Sequence, residues 1–326
     1  MSRRADLLWR LGAFAVLWII VLGRGCLFRP QSTFPGAHFN QGTNAAWLGV
    51  EWVSRPHTTN EIYALSAALA EQQITTIYVY TSYYRPEGTF NPTYSYAREF
   101  VATLKNLAPD LNVQMWIGLP LQQMNLHSKT IRREVIEFCV SLLQEANFDG
   151  LHLDPEPVED GNKVVLVLLD EMRNAIGPDA TLSIAGRRIW PLFPTFHWPL
   201  VGKWSWSASY YQKIAKRVDE IAVMVYDSAL PTPGLYRQWT KFQVIALSRA
   251  LVYTDVRLFI GIPTSAEATR THNPTAENMR SGLQGTIAGL NDWATWKNTV
   301  TGVAIYPYWE TDEAKWKVYR SLWLGE

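Results

Sequence analysis

The chain has 326 residues, of which 48% are hydrophobic and 18% are charged, a composition that allows a large buried core. Its formal net charge is +1 and no basic stripe runs along it, which excludes the electrostatic footprint expected of a nucleic-acid-binding protein. The two cysteines, Cys26 and Cys139, form neither a disulfide framework nor the spacing of a metal site.

Residues 1–30 are predicted to be a signal anchor or a signal peptide. An apolar run extends from Leu11 to Gly23, and the whole apolar stretch of about 17 residues is longer than most signal-peptide cores and at the short limit for a spanning helix. An uncleaved anchor is favoured over a cleaved signal; Cys26 raises the third possibility of a lipoprotein site. Residues 31–45 are expected to form an extended tether. The sequence therefore predicts a membrane-anchored protein with an extracytoplasmic catalytic domain, or a secreted one.

From residue 46 onward, short apolar runs alternate with helical patterns. The predicted strands are Trp47–Val53, Thr75–Thr81, Asn112–Ile117, Asp149–Asp154, Thr181–Ala185, Glu220–Tyr226, Arg257–Ile262 and Gly302–Tyr306. The predicted helices are near 60–73, 93–107, 129–146, 163–176, 207–217, 236–250, 276–288 and 313–322. A long aromatic loop follows the fifth strand.

Eight strand-then-helix units predict a parallel sheet with the strand count of a closed barrel. Residues 46–326 are therefore predicted to be a single α/β domain, a (β/α)₈ TIM barrel, behind an N-terminal hydrophobic helix. An open doubly wound sheet is the alternative, but no glycine-rich phosphate loop follows the first strand.

The fourth strand carries three polar side chains on one face. Because side chains alternate along a strand, His152, Asp154 and Glu156 point the same way. Burying such a row costs free energy unless the groups are paired with one another or take part in function. Glu156 falls at the predicted end of the strand, where barrels of this kind carry their chemistry. A cluster that simply caps the barrel mouth is the structural alternative.

The segment from Phe148 to Pro157 resembles the DxxDxDxE signature of family 18 glycoside hydrolases, the chitinase family. Asp149, Asp154 and Glu156 match the first, third and last acidic positions, while His152 stands at the second. We expect this histidine to donate a hydrogen bond to Asp154 or to pair with it as a cation, which would hold Asp154 ionised more firmly.

The sixth strand resembles the MxYD strand of the same family, with Met224, Tyr226 and Asp227 in register. Tyr306 falls at the position where the family has the tryptophan that forms the floor of the sugar-binding site. The third strand, which ends near Trp116, lacks the SxGG pattern of the family. The resemblance covers most of the predicted barrel, but only the motifs on the fourth and sixth strands are specific to the family.

The resemblance implies hydrolysis of N-acetylhexosamine-containing polysaccharide, such as chitin or peptidoglycan, by a retaining, substrate-assisted mechanism. Glu156 would be the general acid and base. Asp154 would orient the substrate's acetamido group, Tyr226 would donate its hydroxyl to the acetamido oxygen, and Asp227 would hydrogen-bond the sugar. No cofactor is implied.

The expected partner is an oligosaccharide or polysaccharide, because aromatic rings at loop mouths suit stacking on sugar faces, although barrels also use such rings as core filler. The predicted substrate-binding residues are His152, Met224, Tyr306, Trp309, Glu51 and Trp116. No metal site is predicted, since the six histidines lack ligand spacing. His272 lies in the loop after the seventh predicted strand, which is expected to be a surface loop; a position lining the cleft is the alternative.

Three other functions remain open at this stage. A non-catalytic carbohydrate-binding barrel would keep the fold without turnover. A glycosidase acting on unacetylated sugars would need a second catalytic carboxylate, for which Glu51 on the first predicted strand and Glu310 are the candidates. A cell-surface scaffold that grips a protein partner is the third.

Overall fold

The structure, a computed structural model, describes residues 33–189 and 205–326. Its strands are β1 (Asn44–Leu48), β2 (Ile74–Tyr83), β3 (Asn112–Pro120), β4 (Gly150–Glu156), β5 (Thr181–Arg187), β6 (Glu220–Met224), β7 (Arg257–Pro263) and β8 (Val300–Tyr306). Consecutive strands pair in parallel and β8 pairs with β1, so the sheet closes into a barrel.

Within the described residues, one main helix follows each strand. These helices are α1 (Thr59–Glu71), α2 (Ala97–Leu107), α3 (Lys129–Ala146), α4 (Lys163–Ile176), α5 (Ala208–Ala215), α6 (Pro233–Leu251), α7 (Met279–Leu290) and α8 (Glu313–Tyr319). The predicted (β/α)₈ TIM barrel is confirmed.

Two predicted segments lie outside the described residues. They are the hydrophobic segment within residues 1–30 and most of the aromatic loop after the fifth strand, at residues 190–204. Among the helices of residues 33–189 and 205–326, none combines the length and the apolar character needed to cross a bilayer.

The first strand begins earlier than its sequence pattern predicts. It covers Asn44–Leu48, and Glu51–Ser54 instead form a one-turn helix that buries Val53. All five residues of β1 are buried, because a barrel strand is covered on both faces and shows no polar alternation. The prediction that Glu51 lies on the first strand is therefore wrong.

The segment before β1 contacts the barrel. The backbone N–H of Phe34 donates to Asn291 Oδ1 at 2.9 Å, and Asn291 Nδ2 donates back to the Phe34 carbonyl at 2.8 Å. A 3-10 helix covers Gly36–His38. The predicted boundary between tether and barrel, after residue 45, thus lies inside β1, and the predicted tether is not extended throughout.

The lower part of the barrel holds a buried polar network. Glu220 on β6 forms an ion pair with Arg257 and accepts hydrogen bonds from Tyr78 Oη at 3.2 Å and Gln114 Nε2 at 2.7 Å. Ser183 on β5 donates to the amide oxygen of Gln114. Because buried polar groups need partners, this network ties β2, β3, β5, β6 and β7 together beneath the open end of the barrel.

Candidate active site

Asp154 and Glu156 lie at the carboxyl end of β4, with Asp154 nearer the barrel interior. Trp116 on β3 donates its indole N–H to Asp154 Oδ2 at 3.0 Å. The other oxygen, Oδ1, is buried and has no hydrogen-bond partner among the described residues. Glu156 ends the strand, and its side chain reaches solvent at the barrel mouth. The strand thus presents one inner and one outer carboxyl group.

The surroundings of the two carboxyl groups favour their protonated forms. Burial, together with the charge of Glu156, raises the pKa of Asp154 to about 8, against a smaller lowering by the Trp116 hydrogen bond. The pKa of Glu156 is also raised, chiefly by burial and further by Asp227, while the guanidinium of Arg187 opposes the rise. Two adjacent carboxyl groups in such an environment are suited to general acid–base chemistry.

Tyr226 and Tyr306 form the wall opposite β4. Their rings stack with centroids 5.2 Å apart and an interplanar angle of 6°. Gly261 on β7 makes room for this pair, because a Cβ there would lie 3.0 Å from the Tyr226 ring and 2.6 Å from a backbone oxygen. Burial raises the pKa of Tyr226 well above its usual range, so its hydroxyl remains a proton donor.

A cavity of about 160 Å³ lies between Glu156 and Tyr226. It is lined by Glu156, Arg187, Arg188, Met224, Tyr226, Asp227 and Thr271. The structure thus brings together, from β4 and the segment after β6, three of the four predicted catalytic residues. Asp154 lies close enough to raise the pKa of Tyr226 and of Tyr306.

Trp309 and Trp116 extend the aromatic surface on either side of Tyr306. Trp309, in the 3-10 helix Tyr308–Glu310, is 47% exposed, and its ring meets the Tyr306 ring edge-on at 6.0 Å. Trp116 is buried and lies 6.4 Å from Tyr306. An exposed indole beside a buried aromatic wall is a suitable platform for a second sugar ring.

His152 does not contact Asp154 as expected. Trp47 Nε1 donates to His152 Nε2 at 3.1 Å, and Nδ1 lies 2.7 Å from Ser183 Oγ. Because Nε2 accepts, the ring is neutral, and burial lowers its pKa to about 3. With both ring nitrogens engaged and no exposed surface, His152 supports the site from below and does not bind substrate directly.

Glu51 and Glu310 are also turned to other partners. The Glu51 carboxylate folds over Gly49, at the place where a Cβ of that residue would be. Glu310 Oε2 accepts from Ser265 Oγ at 3.1 Å and from the Ala266 N–H at 2.8 Å. The described lining of the cavity includes neither carboxylate.

Four charged residues of the site were missed by sequence reasoning. Arg187 and Arg188 come just after the fifth predicted strand. The observed β5 is longer and ends at Arg187, so that Arg187 and the next residue, Arg188, line the cavity. His272, expected in a surface loop, is only 6% exposed and contacts Glu277. The arginine pair after a strand was a usable signal, and so was the position of His272 in the loop after the seventh strand, whereas nothing local in the sequence marked Glu277.

The family of the chain is shown by a sequence match. The model of Glycosyl hydrolases family 18 matches residues 51–323. No curated protein matches the chain. The solved structures that share the fold include the spore cortex-lytic enzyme SleL of Bacillus cereus, at 11% identity and a TM-score of 0.56, with 91% of this chain and 76% of that chain covered.

Two class V chitinases are similar in the same way. The enzyme from Pseudomonas fluorescens Pf-5 has a TM-score of 0.58 at 13% identity, and the one from Nicotiana tobaccum has 0.55 at 14%. Each comparison covers 86% of this chain and 98% of the other. Identities this low establish the fold, and the family match over most of the chain establishes the relationship. The chain belongs to family 18 of the glycosyl hydrolases and is a chitinase-like glycosidase.

Proposed function

We propose that this glycosidase cleaves N-acetylhexosamine-containing oligosaccharides or polysaccharides with retention, the substrate's own 2-acetamido oxygen acting as nucleophile. The proposal rests mainly on the hydrogen bonding of the Asp154 carboxyl group. Its Oδ2 accepts a hydrogen bond from Trp116, while its buried Oδ1 has no hydrogen-bond partner among the described residues. A buried acceptor without a donor is costly, and an acetamido N–H supplies that donor.

Binding of the acetamido group prepares Glu156 for acid catalysis. Donation of the substrate N–H to Asp154 favours the ionised form of that carboxyl group, whose pKa is about 8 without substrate. An ionised Asp154 stabilises the positive oxazolinium formed when the acetamido oxygen attacks. Its charge also disfavours ionisation of Glu156. Glu156 therefore holds the proton that the leaving glycosidic oxygen needs.

The residues after β6 position the sugar. The Tyr226 hydroxyl, which stays protonated because of its raised pKa, donates to the acetamido oxygen and aims it at the anomeric carbon. Asp227 accepts a hydrogen bond from a sugar hydroxyl in the same cavity. Tyr306, stacked on Tyr226, forms the floor under the ring.

Glu156→Gln tests this assignment. The variant keeps the shape of the side chain and removes its acidic proton, so hydrolysis of N-acetylated oligosaccharides should fall at least about 100-fold. Glu134→Gln, at an exposed position on α3, is the matched control and should behave like wild type. Products are identified by mass, and the anomer formed first is identified by NMR.

Each competing function predicts a different result in that experiment. Full activity of Glu156→Gln contradicts the acid assignment. Efficient cleavage of unacetylated glucans contradicts substrate assistance and favours a two-carboxylate mechanism. Oligosaccharide binding by wild type without any turnover favours a carbohydrate-binding barrel. The solved relatives are named as chitinases and as spore cortex-lytic enzymes, so chitin oligosaccharides and peptidoglycan are the substrates to compare.

We also propose that the catalytic barrel is extracytoplasmic and tethered to a membrane by residues 1–30. The apolar run from Leu11 to Gly23 supports this, since it approaches the length of a spanning helix. The full-length chain should fractionate with membranes and resist extraction at alkaline pH, whereas a chain starting at residue 31 should be soluble. Full-length protein in the soluble fraction, with its N-terminus intact, would contradict the anchor.

A further inference from the structure

The loop between β7 and α7 contributes a fully buried carboxylate, Glu277, to the underside of the active site. Its Oε2 accepts from the Asp227 N–H at 2.7 Å. Its Oε1 accepts from the Ser228 N–H at 3.0 Å and from Ser228 Oγ at 2.7 Å. Asp227 has a φ of 56°, a left-handed conformation that is uncommon for a residue with a side chain. Glu277 therefore stabilises the backbone turn that carries Asp227.

His272 is fixed between two acceptors. Its Nδ1 lies 3.2 Å from Glu277 Oε2, and its Nε2 lies 3.2 Å from the carbonyl oxygen of Ser265. The Ser265 carbonyl can only accept, and each oxygen of Glu277 already accepts a backbone N–H. Both hydrogen bonds of the ring are therefore best made by an imidazolium, which donates from both nitrogens. The same Nδ1 is 3.7 Å from Asp227 Oδ1. A cation thus lies beside the Asp227 carboxylate.

Charged and titratable groups of other elements interact with Glu277 or with Asp227. Arg188 after β5 and Tyr236 on α6 interact with both carboxyl groups, and Glu156 on β4 interacts with Asp227. Burial raises the pKa of Asp227 and Glu277 raises it further, whereas His272 and Arg188 lower it. The hydrogen bond to Glu277 raises the pKa of His272 against the effect of burial.

We propose that Glu277 and His272 are positioning residues for the glycosidase reaction: Glu277 fixes the turn that carries Asp227, and the His272 imidazolium holds the Asp227 carboxylate in place beside the sugar. This inference rests on the proposed function, in which Asp227 contacts substrate. Neither residue belongs to the described lining of the cavity, whereas Asp227 does, so both act on the substrate through Asp227.

An ion-binding site is the competing interpretation of the same residues. Asp227, His272 and Glu277 each place one possible ligand atom within 4.8 Å of the others. In the ion-pair interpretation His272 Nδ1 carries a proton, whereas a metal would need its lone pair. One equivalent of metal retained by the purified protein after dialysis against chelator would overturn the ion pair.

The variants His272→Gln and His272→Lys separate charge from shape. Without the cation the pKa of Asp227 rises, so the acidic limb of the kcat/KM profile of His272→Gln should move to higher pH. His272→Lys keeps a positive charge and should leave that limb near its wild-type position. A merely structural role for the ring predicts equal damage in both variants and no movement of the limb.

Glu277→Gln tests the anchoring of the turn. The amide nitrogen of glutamine cannot accept from a backbone N–H, so Asp227 shifts, and kcat should fall about 10- to 100-fold, as displacements near 1 Å can cause. Glu267→Gln, exposed on the same loop, is the matched control. Thermal unfolding of each variant confirms that the comparison is made between folded proteins.

A histidine NMR titration makes the test independent of turnover. His272, assigned by its absence from His272→Gln, should titrate above the ordinary histidine pKa in wild type and lower in Glu277→Gln. Titration at or below the ordinary value in wild type overturns the proposal even if Glu277→Gln cannot be purified. The proposed function stands if wild type is active and Glu156→Gln is not. The positioning role is wrong if Glu277→Gln and His272→Gln are then as active as wild type. If wild type cleaves no N-acetylated substrate, the proposed function is wrong. The NMR titration then remains the test of the ion pair between His272 and Glu277.

Discussion

At the residue scale, Asp154 and Glu156 share one strand but have different neighbours. Asp154 accepts a hydrogen bond from the neutral indole of Trp116, whereas the positive charge of Arg187 acts on the pKa of Glu156. The hydrogen bond from the indole lowers the pKa of Asp154 by less than burial raises it, whereas the cation directly opposes the rise in the pKa of Glu156. The difference separates the roles of two otherwise similar carboxyl groups.

Replacing Arg187 should shift the pH dependence of the reaction. Glu156 must be protonated to act as an acid, so its pKa sets the alkaline limb of the kcat/KM profile. Because Arg187 lowers that pKa, Arg187→Gln should move the alkaline limb to higher pH. The exposed Arg133, which pairs with Glu137 on α3, gives the control Arg133→Gln. A limb that stays in place, or moves to lower pH, would show that Arg187 does not act on the catalytic acid.

At the element scale, β4 depends on its neighbours below the site. His152 links β4 to Trp47 on β1 and to Ser183 on β5, and its ring stacks on Tyr78 of β2 with centroids 3.9 Å apart. A neutral histidine can accept on one side and donate on the other. The second acidic position of the family signature is thus filled here by a residue that joins strands and does not contact Asp154.

This arrangement predicts a loss of stability in acid. Burial lowers the pKa of His152 to about 3 in the folded protein, whereas an unfolded histidine titrates near 6.5. Protonation therefore favours unfolding, so stability that is complete above about pH 6.5 is lost as the pH falls towards about 3. Between pH 7 and pH 5 this group alone should remove about 2 kcal/mol.

Urea unfolding of wild type and His152→Asn at the two pH values measures that loss. The variant should be less stable at pH 7, because Trp47 and Ser183 lose well-placed partners, yet it should lose about 2 kcal/mol less than wild type on going to pH 5. His127→Asn, at an exposed position, should keep the wild-type difference. Equal losses in wild type and His152→Asn would contradict a neutral buried histidine.

At the scale of the whole molecule, the end of the chain completes the closure of the barrel. Trp323, in the π-helical turn Arg320–Leu324 after α8, is fully buried and donates its indole N–H to Asn44 Oδ1 at 2.9 Å. The same oxygen accepts from the Val303 N–H at 3.2 Å. Asn44 on β1 is therefore tied to both β8 and the C-terminal turn.

Trp323→Ala should destabilise the protein by about 3–5 kcal/mol, the range for removing a large buried aromatic side chain. The loss should appear as a lower urea midpoint without a change in the slope of the transition. Trp296→Ala, at a half-exposed position, is the control and should cost much less. A small effect at Trp323 would mean that the C-terminal turn does not help to close the barrel.

The sequence by itself determined the fold class and the two acids of β4. Eight apolar runs separated by helical patterns have few solutions other than a closed parallel barrel, and alternation along one strand is enough to place Asp154 and Glu156 on the same face. The family resemblance added Tyr226 and Asp227, whose segment the structure brings to the same cavity.

Only the tertiary structure decided what surrounds those acids. The hydrogen bonds of His152, the approach of Arg187 to Glu156 and the support of Asp227 by Glu277 all join residues that are far apart in sequence. Local patterns report how a side chain alternates or repeats along its own element. The pKa of a buried group depends instead on the neighbours that closure of the barrel places around it.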